Sequence, residues 1–256
     1  MKIGIFDSGM GGLCVLHQAA KRLPNDEFIY YADEKNVPYG EKTIEQIMGY
    51  VDEIVQFMIN QGCDAIVIAC NTATSVAANA MRKKYNIPII GMEPAVKKAI
   101  DEDGKHRVLV IATPVTVKGE KMHNLINRVD PNNLADLIAL PMLVRFAERQ
   151  EFNSPAVEGY LTNVFSNYHL EDYSSIVLGC THFNYFKDTI RKLLPEHIRF
   201  IDGNEGTINN LINHLPSHGD HQTITYYFSG QKVTEANDLQ RIQNYLSRLE
   251  IMLEIQ

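Results

Sequence analysis

The chain has 256 residues, 45% of them hydrophobic and 21% charged, with a formal net charge of −7. That is enough apolar material for a sizeable core in one or two domains. It excludes global disorder, and no apolar run reaches the ~18 to 20 residues of a membrane helix. The acidic balance, with Arg82-Lys83-Lys84 as the longest cationic cluster, argues against a nucleic-acid partner and leaves an anionic small substrate dependent on local N–H and hydroxyl donors.

Lys2 to Phe6 reads as a strand and Gly12 to Lys21 as a helix. Nothing at this end has the charged-then-apolar pattern of a secretory signal, so a cytoplasmic enzyme or binding protein is expected. Between the two elements runs the turn Asp7-Ser8-Gly9-Met10-Gly11-Gly12. Glycines there often cradle phosphate. Here the spacing is not G-x-G-x-x-G, no lysine follows as in a P-loop, and Asp7 would repel phosphate. A bound carboxylate and a purely structural tight turn are the competing readings.

Glu27 to Ala32 is the next strand, followed by Pro38-Tyr39-Gly40, which taken alone is a turn signal. Ile44, Ile47, Met48, Val51, Ile54, Val55 and Met58 recur at helical spacing across Thr43 to Gln61. Asp64 to Ala69 is a short apolar strand of the kind buried in a parallel sheet. A helix over Thr74 to Tyr85 and a strand at Pro88 to Gly91 follow. Arg107 to Ala112, Ala135 to Leu140, Ser175 to Leu178 and Arg199 to Asp202 are further strands with helices between them. Glu148 closes an amphipathic stretch from Met142 and by itself reads as an exposed helix charge. His218 and His221 read as parts of a polar surface loop. The alternation predicts an α/β fold with mostly parallel sheets.

The four cysteines are Cys14, Cys63, Cys70 and Cys180. A chain this long and apolar needs no disulfides, and without a C-x-x-C pair a zinc site has weak support. Cys14 and Cys63 read as small buried hydrophobes. Cys70 and Cys180 stand apart because they close an internal repeat. Ala65-Ile66-Val67-Ile68-Ala69-Cys70-Asn71-Thr72 resembles Ser175-Ile176-Val177-Leu178-Gly179-Cys180-Thr181-His182, and Lys2 to Ser8 resembles Arg107 to Thr113. Two similar halves follow, each with a first strand ending in a hydroxyl-rich turn and a later strand ending in cysteine.

In open α/β sheets ligands sit beyond the carboxyl ends of the strands. Asp7, Ser8, Cys70, Asn71, Thr72, Thr113, Cys180, Thr181 and His182 fall at such ends. If the halves face each other about a pseudo-twofold axis, Cys70 and Cys180 meet across one cleft. Two thiols so placed suit one kind of chemistry, in which a proton is taken from one face of a carbon and another is returned to the opposite face. A thiol with a pKa of about 8.5 can serve as either base or acid near neutrality. Asp7 would oppose a thiolate at Cys70 and so would hold or relay a proton. His182 could take the proton of Cys180, or form only a structural hydrogen bond. No lysine sits at an obvious strand end for a Schiff base, and neither a cofactor nor a metal is expected.

Phe6-Asp7-Ser8-Gly9-Met10-Gly11-Gly12-Leu13, Ala69-Cys70-Asn71-Thr72-Ala73-Thr74 and Gly179-Cys180-Thr181-His182 together resemble the glutamate racemases, within the cofactor-independent aspartate/glutamate racemase superfamily. Pro38-Tyr39-Gly40 and Glu93-Pro94 also match that pattern. The likeness runs from Met1 to about Asp202, and the opening Asp-Ser-Gly-x-Gly-Gly separates glutamate racemases from aspartate and hydantoin racemases. It implies Cys70 and Cys180 as the acid/base pair, with Asp7 assisting Cys70 and His182 assisting Cys180. It also implies a glutamate site lined by Asp7, Ser8, Tyr39, Gly40, Asn71, Thr72, Thr181 and His182, with Glu148, Thr113 and Thr116 as further candidates. The implied molecule has two pseudo-twofold-related α/β domains, 1–93 plus about 204–256 and 94–203, with the site between them. The implied setting is a cytoplasmic homodimer that supplies D-glutamate for peptidoglycan. Asn184, Lys35-Asn36-Val37 and Met142 to Arg145 depart from the usual pattern without touching a proposed proton donor. An aspartate racemase or other superfamily member, and a two-domain binding protein with inert cysteines, are the rival readings.

Overall fold

Each half of the repeat forms its own parallel sheet in the computed structural model, which describes residues 1–92, 95–215 and 219–255. The strands are β1 (Lys2–Asp7), β2 (Glu27–Ala32), β3 (Ala65–Ile68), β4 (Ile89–Gly91), β5 (Arg107–Ala112), β6 (Ala135–Ala139), β7 (Tyr173–Leu178), β8 (Arg199–Ile201), β9 (Thr223–Phe228) and β10 (Gln231–Lys232). One sheet runs β10-β9-β2-β1-β3-β4 and the other β6-β5-β7-β8. The order β2-β1-β3-β4 is reproduced as β6-β5-β7-β8, so the two sequence similarities mark equivalent strands: β1 matches β5, and β3 matches β7. Every pairing except β9 with β10 is parallel.

The apolar run of β3 is fully buried, as expected of a central strand covered on both faces. The helix Ile44–Asn60 begins with a reciprocal cap: the Thr43 hydroxyl accepts from the Gln46 N–H, and the Gln46 side chain accepts from the Thr43 N–H. Its buried stripe is Ile47, Val51, Ile54, Val55 and Met58. Ile44, which shares the helical spacing of that stripe, lies in the first turn beyond the covered face and is 61% exposed.

Most element bounds fall within one or two residues of the sequence reading, and two segments differ more. The helix placed at Thr74 to Tyr85 spans Asn71–Lys84, three residues earlier, because Cys70 caps it: its sulfur accepts from the Ala73 N–H at 3.4 Å. The segment Thr223–Phe228, Thr-Ile-Thr-Tyr-Tyr-Phe, is a strand that extends the first sheet beside β2. Its β-branched and aromatic composition is a strand signal that the sequence reading passed over. His221 is exposed, in keeping with a surface position, while His218 and Glu93-Pro94 lie outside the described residues.

The two sheets share apolar contacts. One continuous buried cluster holds Ile3, Ile5 and Val67 of the first together with Leu109, Ile111 and Ile176 of the second. Leu109→Ala, at a fully buried position of central β5, is expected to cost about 2 to 5 kcal/mol of unfolding free energy. Urea denaturation checks this, and a loss below about 1 kcal/mol would contradict the packing described.

Candidate active site

β1, β3, β5 and β7 all point their carboxyl ends at one small enclosed space. It is lined by Ser8, Pro38, Tyr39, Gly40, Cys70, Asn71, Thr72, Thr113, Val144, Cys180, Thr181 and His182. Cys70 arrives from the end of β3 and Cys180 from the end of β7, so equivalent positions of the two halves contribute the two sulfurs. The space encloses about 10 Å³, about the room one water needs.

The sequence candidates fall into two layers. Ser8, Tyr39, Gly40, Asn71, Thr72, Thr113, Thr181 and His182 line the space with the cysteines. Asp7, Thr116 and Glu148 stand behind them. Thr116 joins a buried cluster of hydroxyls that crosses between the halves, with Thr72 Oγ1 2.9 Å from Thr113 Oγ1 and 3.3 Å from Thr116 Oγ1. The Tyr39 hydroxyl donates to Asp33 Oδ2 at 2.6 Å, which fixes the side chain in place. Asp33 was not singled out from the sequence, although its place just after β2 obeys the same strand-end rule.

Asp7 is fully buried and is held from both halves. Its Oδ1 accepts from the Gly9 N–H at 3.0 Å, and its Oδ2 accepts from the Thr181 hydroxyl at 3.0 Å. Burial raises its pKa, and the nearby His182 and these two hydrogen bonds offset only part of that rise. The Cys70 thiol sits at the N-terminus of a 14-residue helix, where the axial dipole and the Ala73 N–H favour thiolate. Burial, and then the Asp7 carboxyl, push its pKa up and prevail. Cys70 therefore rests as a thiol, 3.8 Å from the Ser8 hydroxyl.

Cys180 has different company. Its sulfur lies 3.8 Å from His182 Nδ1, and His182 Nε2 lies 2.6 Å from Glu148 Oε1. Glu148 is therefore not the exposed helix charge that the amphipathic stretch suggested. It ends the helix Pro141–Glu148, is only 15% exposed, and also accepts from the Met10 N–H at 2.8 Å. The local pattern failed here because the surface that covers Glu148 comes from residues far away in sequence.

Burial pulls the His182 pKa down, but the hydrogen bonds and charges of Cys180 and Glu148 outweigh it and raise the imidazole well above its ordinary value. Burial likewise raises Glu148, and the partnership with His182 outweighs it, for a net lowering. The His182 contribution to stability is thus complete below pH ~6.5 and lost as pH rises through the raised pKa. The Glu148 contribution is complete above ~4.5 and lost as pH falls through the lowered one. The stability gap between wild type and His182→Gln is expected to reach about 2 kcal/mol between about pH 5 and 6.5. It should narrow as pH rises further. Denaturant titrations across pH check this, and a gap that widens toward alkaline pH would contradict it.

The glycine turn is explained by what presses against it. A Cβ on Gly9 would lie 2.1 Å from Glu148 Oε1. One on Gly11 would lie 2.5 Å from both His182 Nδ1 and Thr181 Oγ1, and one on Gly12 2.6 Å from Asp7 Cβ. The turn is pinned from either side, the Tyr30 hydroxyl donating to Gly9 O and the Tyr185 hydroxyl to Met10 O, both at 2.7 Å. The turn thus binds a carboxylate of the protein itself, Glu148, and its missing side chains let the second half approach.

The geometry has counterparts among known proteins. The sequence profile described as Asp/Glu/Hydantoin racemase matches residues 14–211. The chain is 54% identical to a glutamate racemase of Campylobacter curvus and 49% identical to one of Lachnospira eligens, each alignment covering all of both chains. Among solved structures, Escherichia coli glutamate racemase, crystallised with L-glutamate and the activator UDP-MurNAc-Ala, superposes with a TM-score of 0.84 at 27% identity, over 95% of this chain and 94% of that one.

Proposed function

The chain belongs to the Asp/Glu/Hydantoin racemase family, and from that premise we infer that it is an isomerase that interconverts L- and D-glutamate by proton transfer at Cα. The observation that carries the reading is the arrival of Cys70 and Cys180, from equivalent strand ends of the two repeats, at one enclosed space. With the substrate Cα between them, one sulfur as thiolate removes the Cα proton. The other, as thiol, delivers its own proton to the opposite face. The enantiomer leaves with the two thiols having exchanged protonation states, and the reverse reaction uses the same pair in opposite roles.

The hard step is forming a carbanion beside a carboxylate. Donors around the space, the hydroxyls of Ser8, Thr72 and Thr113 with the N–H groups at the start of the Asn71–Lys84 helix, would stabilise the charge that develops. Asn71 Oδ1 is a buried acceptor without a hydrogen-bond partner among the described residues, which suits a substrate ammonium. That ammonium would also lower the raised pKa of Cys70 and release its thiolate. A space of about 10 Å³ cannot hold an amino acid. Substrate entry therefore requires the halves to part, including the exposed Arg145–Glu41 ion pair that joins them at 2.6 Å.

We place the first catalytic domain at 1–93 plus about 204–256 and the second at 94–203. No described helix is long and apolar enough to cross a membrane. A cytoplasmic homodimer that supplies D-glutamate for peptidoglycan completes the proposal.

Incubation of each glutamate enantiomer in heavy water, with no cofactor added, tests the function. Deuterium at Cα together with loss of optical rotation is the expected result. Unlabelled, optically unchanged glutamate would refute it, and turnover of L-aspartate instead would redirect the assignment within the superfamily.

A further inference from the structure

The helix Ala236–Leu253, in the part of the chain where the sequence resemblance is least informative, reaches the first half through the Glu250–Lys21 ion pair and the second half through two hydrogen bonds. The Tyr245 hydroxyl donates to Ala147 O at 2.8 Å, and the Arg248 guanidinium donates to Tyr185 O at 2.9 Å. The same helix carries Arg241, whose side chain is 26% exposed and whose guanidinium covers the Phe228 ring and lies 2.8 Å from Glu34 Oε1 and 3.5 Å from Glu148 Oε2. The two oxygens of Glu148 are therefore divided. Oε1 takes His182 Nε2 and the Met10 N–H, and Oε2 faces Arg241.

We propose that Arg241 is a positioning residue for proton transfer at Cys180, acting from the C-terminal helix through Glu148 and His182. The inference rests on the racemase reading above and extends it. A buried carboxylate needs a cationic partner. His182 supplies one only while it is protonated, and its charge changes if it exchanges protons with Cys180 during turnover. A guanidinium is charged throughout. Arg241 thus keeps Glu148 ionised and oriented in both halves of the cycle, and Glu148 keeps the imidazole aimed at the Cys180 sulfur. Cys70 is attended instead by Ser8, Asp7 and the Ala73 N–H. The arrangement predicts a one-sided effect.

The test compares wild type, Arg241→Gln, Arg241→Lys and His182→Gln, each with Cα-protonated and Cα-deuterated L- and D-glutamate. Arg241→Gln should lower kcat about five- to tenfold, the loss corresponding to one partly exposed charge pair. Its kinetic isotope effect should rise mainly for one enantiomer, the same one as in His182→Gln, because only the step at Cys180 is slowed. Arg241→Lys should recover most of kcat. The circular dichroism spectrum of each variant establishes that it is folded. Unchanged kcat overturns the proposal. So does an isotope effect that moves equally for both enantiomers, or a lowered melting temperature with isotope effects untouched, since these are the marks of a bystander or a purely structural residue. Wild-type protein silent toward both glutamate enantiomers would instead refute the functional reading, and the inference with it.

Discussion

Cys70→Ala and Cys180→Ala are each expected to lower racemisation of glutamate by about 10³-fold or more in both directions, with substrate binding largely retained. Proton transfer by one positioned group is worth roughly 10² to 10⁴ in rate. Here each turnover needs both groups, one as base and one as acid, so neither direction survives loss of either sulfur. The equilibrium between enantiomers lies at unity, which requires kcat/KM to fall equally for L- and D-glutamate. The double variant should be hardly slower than the single ones, because groups that act as a unit lose their effect together. Replacing a buried thiol by a methyl leaves the surrounding hydroxyls and helix N–H groups in place, so titration calorimetry should still detect glutamate. Polarimetry on both enantiomers checks the rates, and normal turnover by either single variant would end the two-thiol proposal.

Gly11→Ala is expected to reduce kcat/KM by about 100-fold without unfolding the protein. The added carbon would meet Thr181 Oγ1 and His182 Nδ1 at 2.5 Å and the His182 backbone nitrogen at 2.7 Å. Side-chain tips can rotate away, but the backbone nitrogen moves only if the segment that carries Cys180 and His182 moves with it. Densely packed interiors transmit such shifts, and a misplacement near 1 Å in a catalytic constellation can cost about 10² in rate. Gly49 provides the control. It lies within the helix Ile44–Asn60 with nothing near its missing Cβ, so Gly49→Ala should leave kcat/KM unchanged and raise stability by about 1 kcal/mol. Steady-state kinetics with thermal denaturation separates the two variants, and near wild-type activity in Gly11→Ala would contradict the close approach of the halves.

The α/β class, the twofold repeat, and the strand ends that carry Cys70 and Cys180 could all be read from the chain before it was folded. They rest on signals that are local: apolar alternation, helical spacing, turn residues, and the recurrence of one short pattern. The equivalence of β1 with β5 and of β3 with β7 was legible because each strand is buried on both faces and so reads as an apolar run wherever it occurs. Cys70 as a helix cap was harder to read, because a thiol is an unusual cap and Asn71 to Ala73 carry no apolar stripe.

What distant surfaces do to single side chains emerges only when the halves come together. Glu148 reads as an exposed charge along its own helix and becomes a buried partner of His182 because the Gly9–Gly12 turn and the Arg241 helix close over it. The glycines of that turn fit several purposes until the second half is seen within van der Waals reach of their missing Cβ atoms. Arg241 lies 93 residues from Glu148 in the chain, and nothing in the pattern around it distinguishes it from any solvated helix arginine. Propensity and periodicity describe how a segment folds against an averaged environment, whereas burial, proton affinity and ion pairing depend on which particular atoms the rest of the chain delivers.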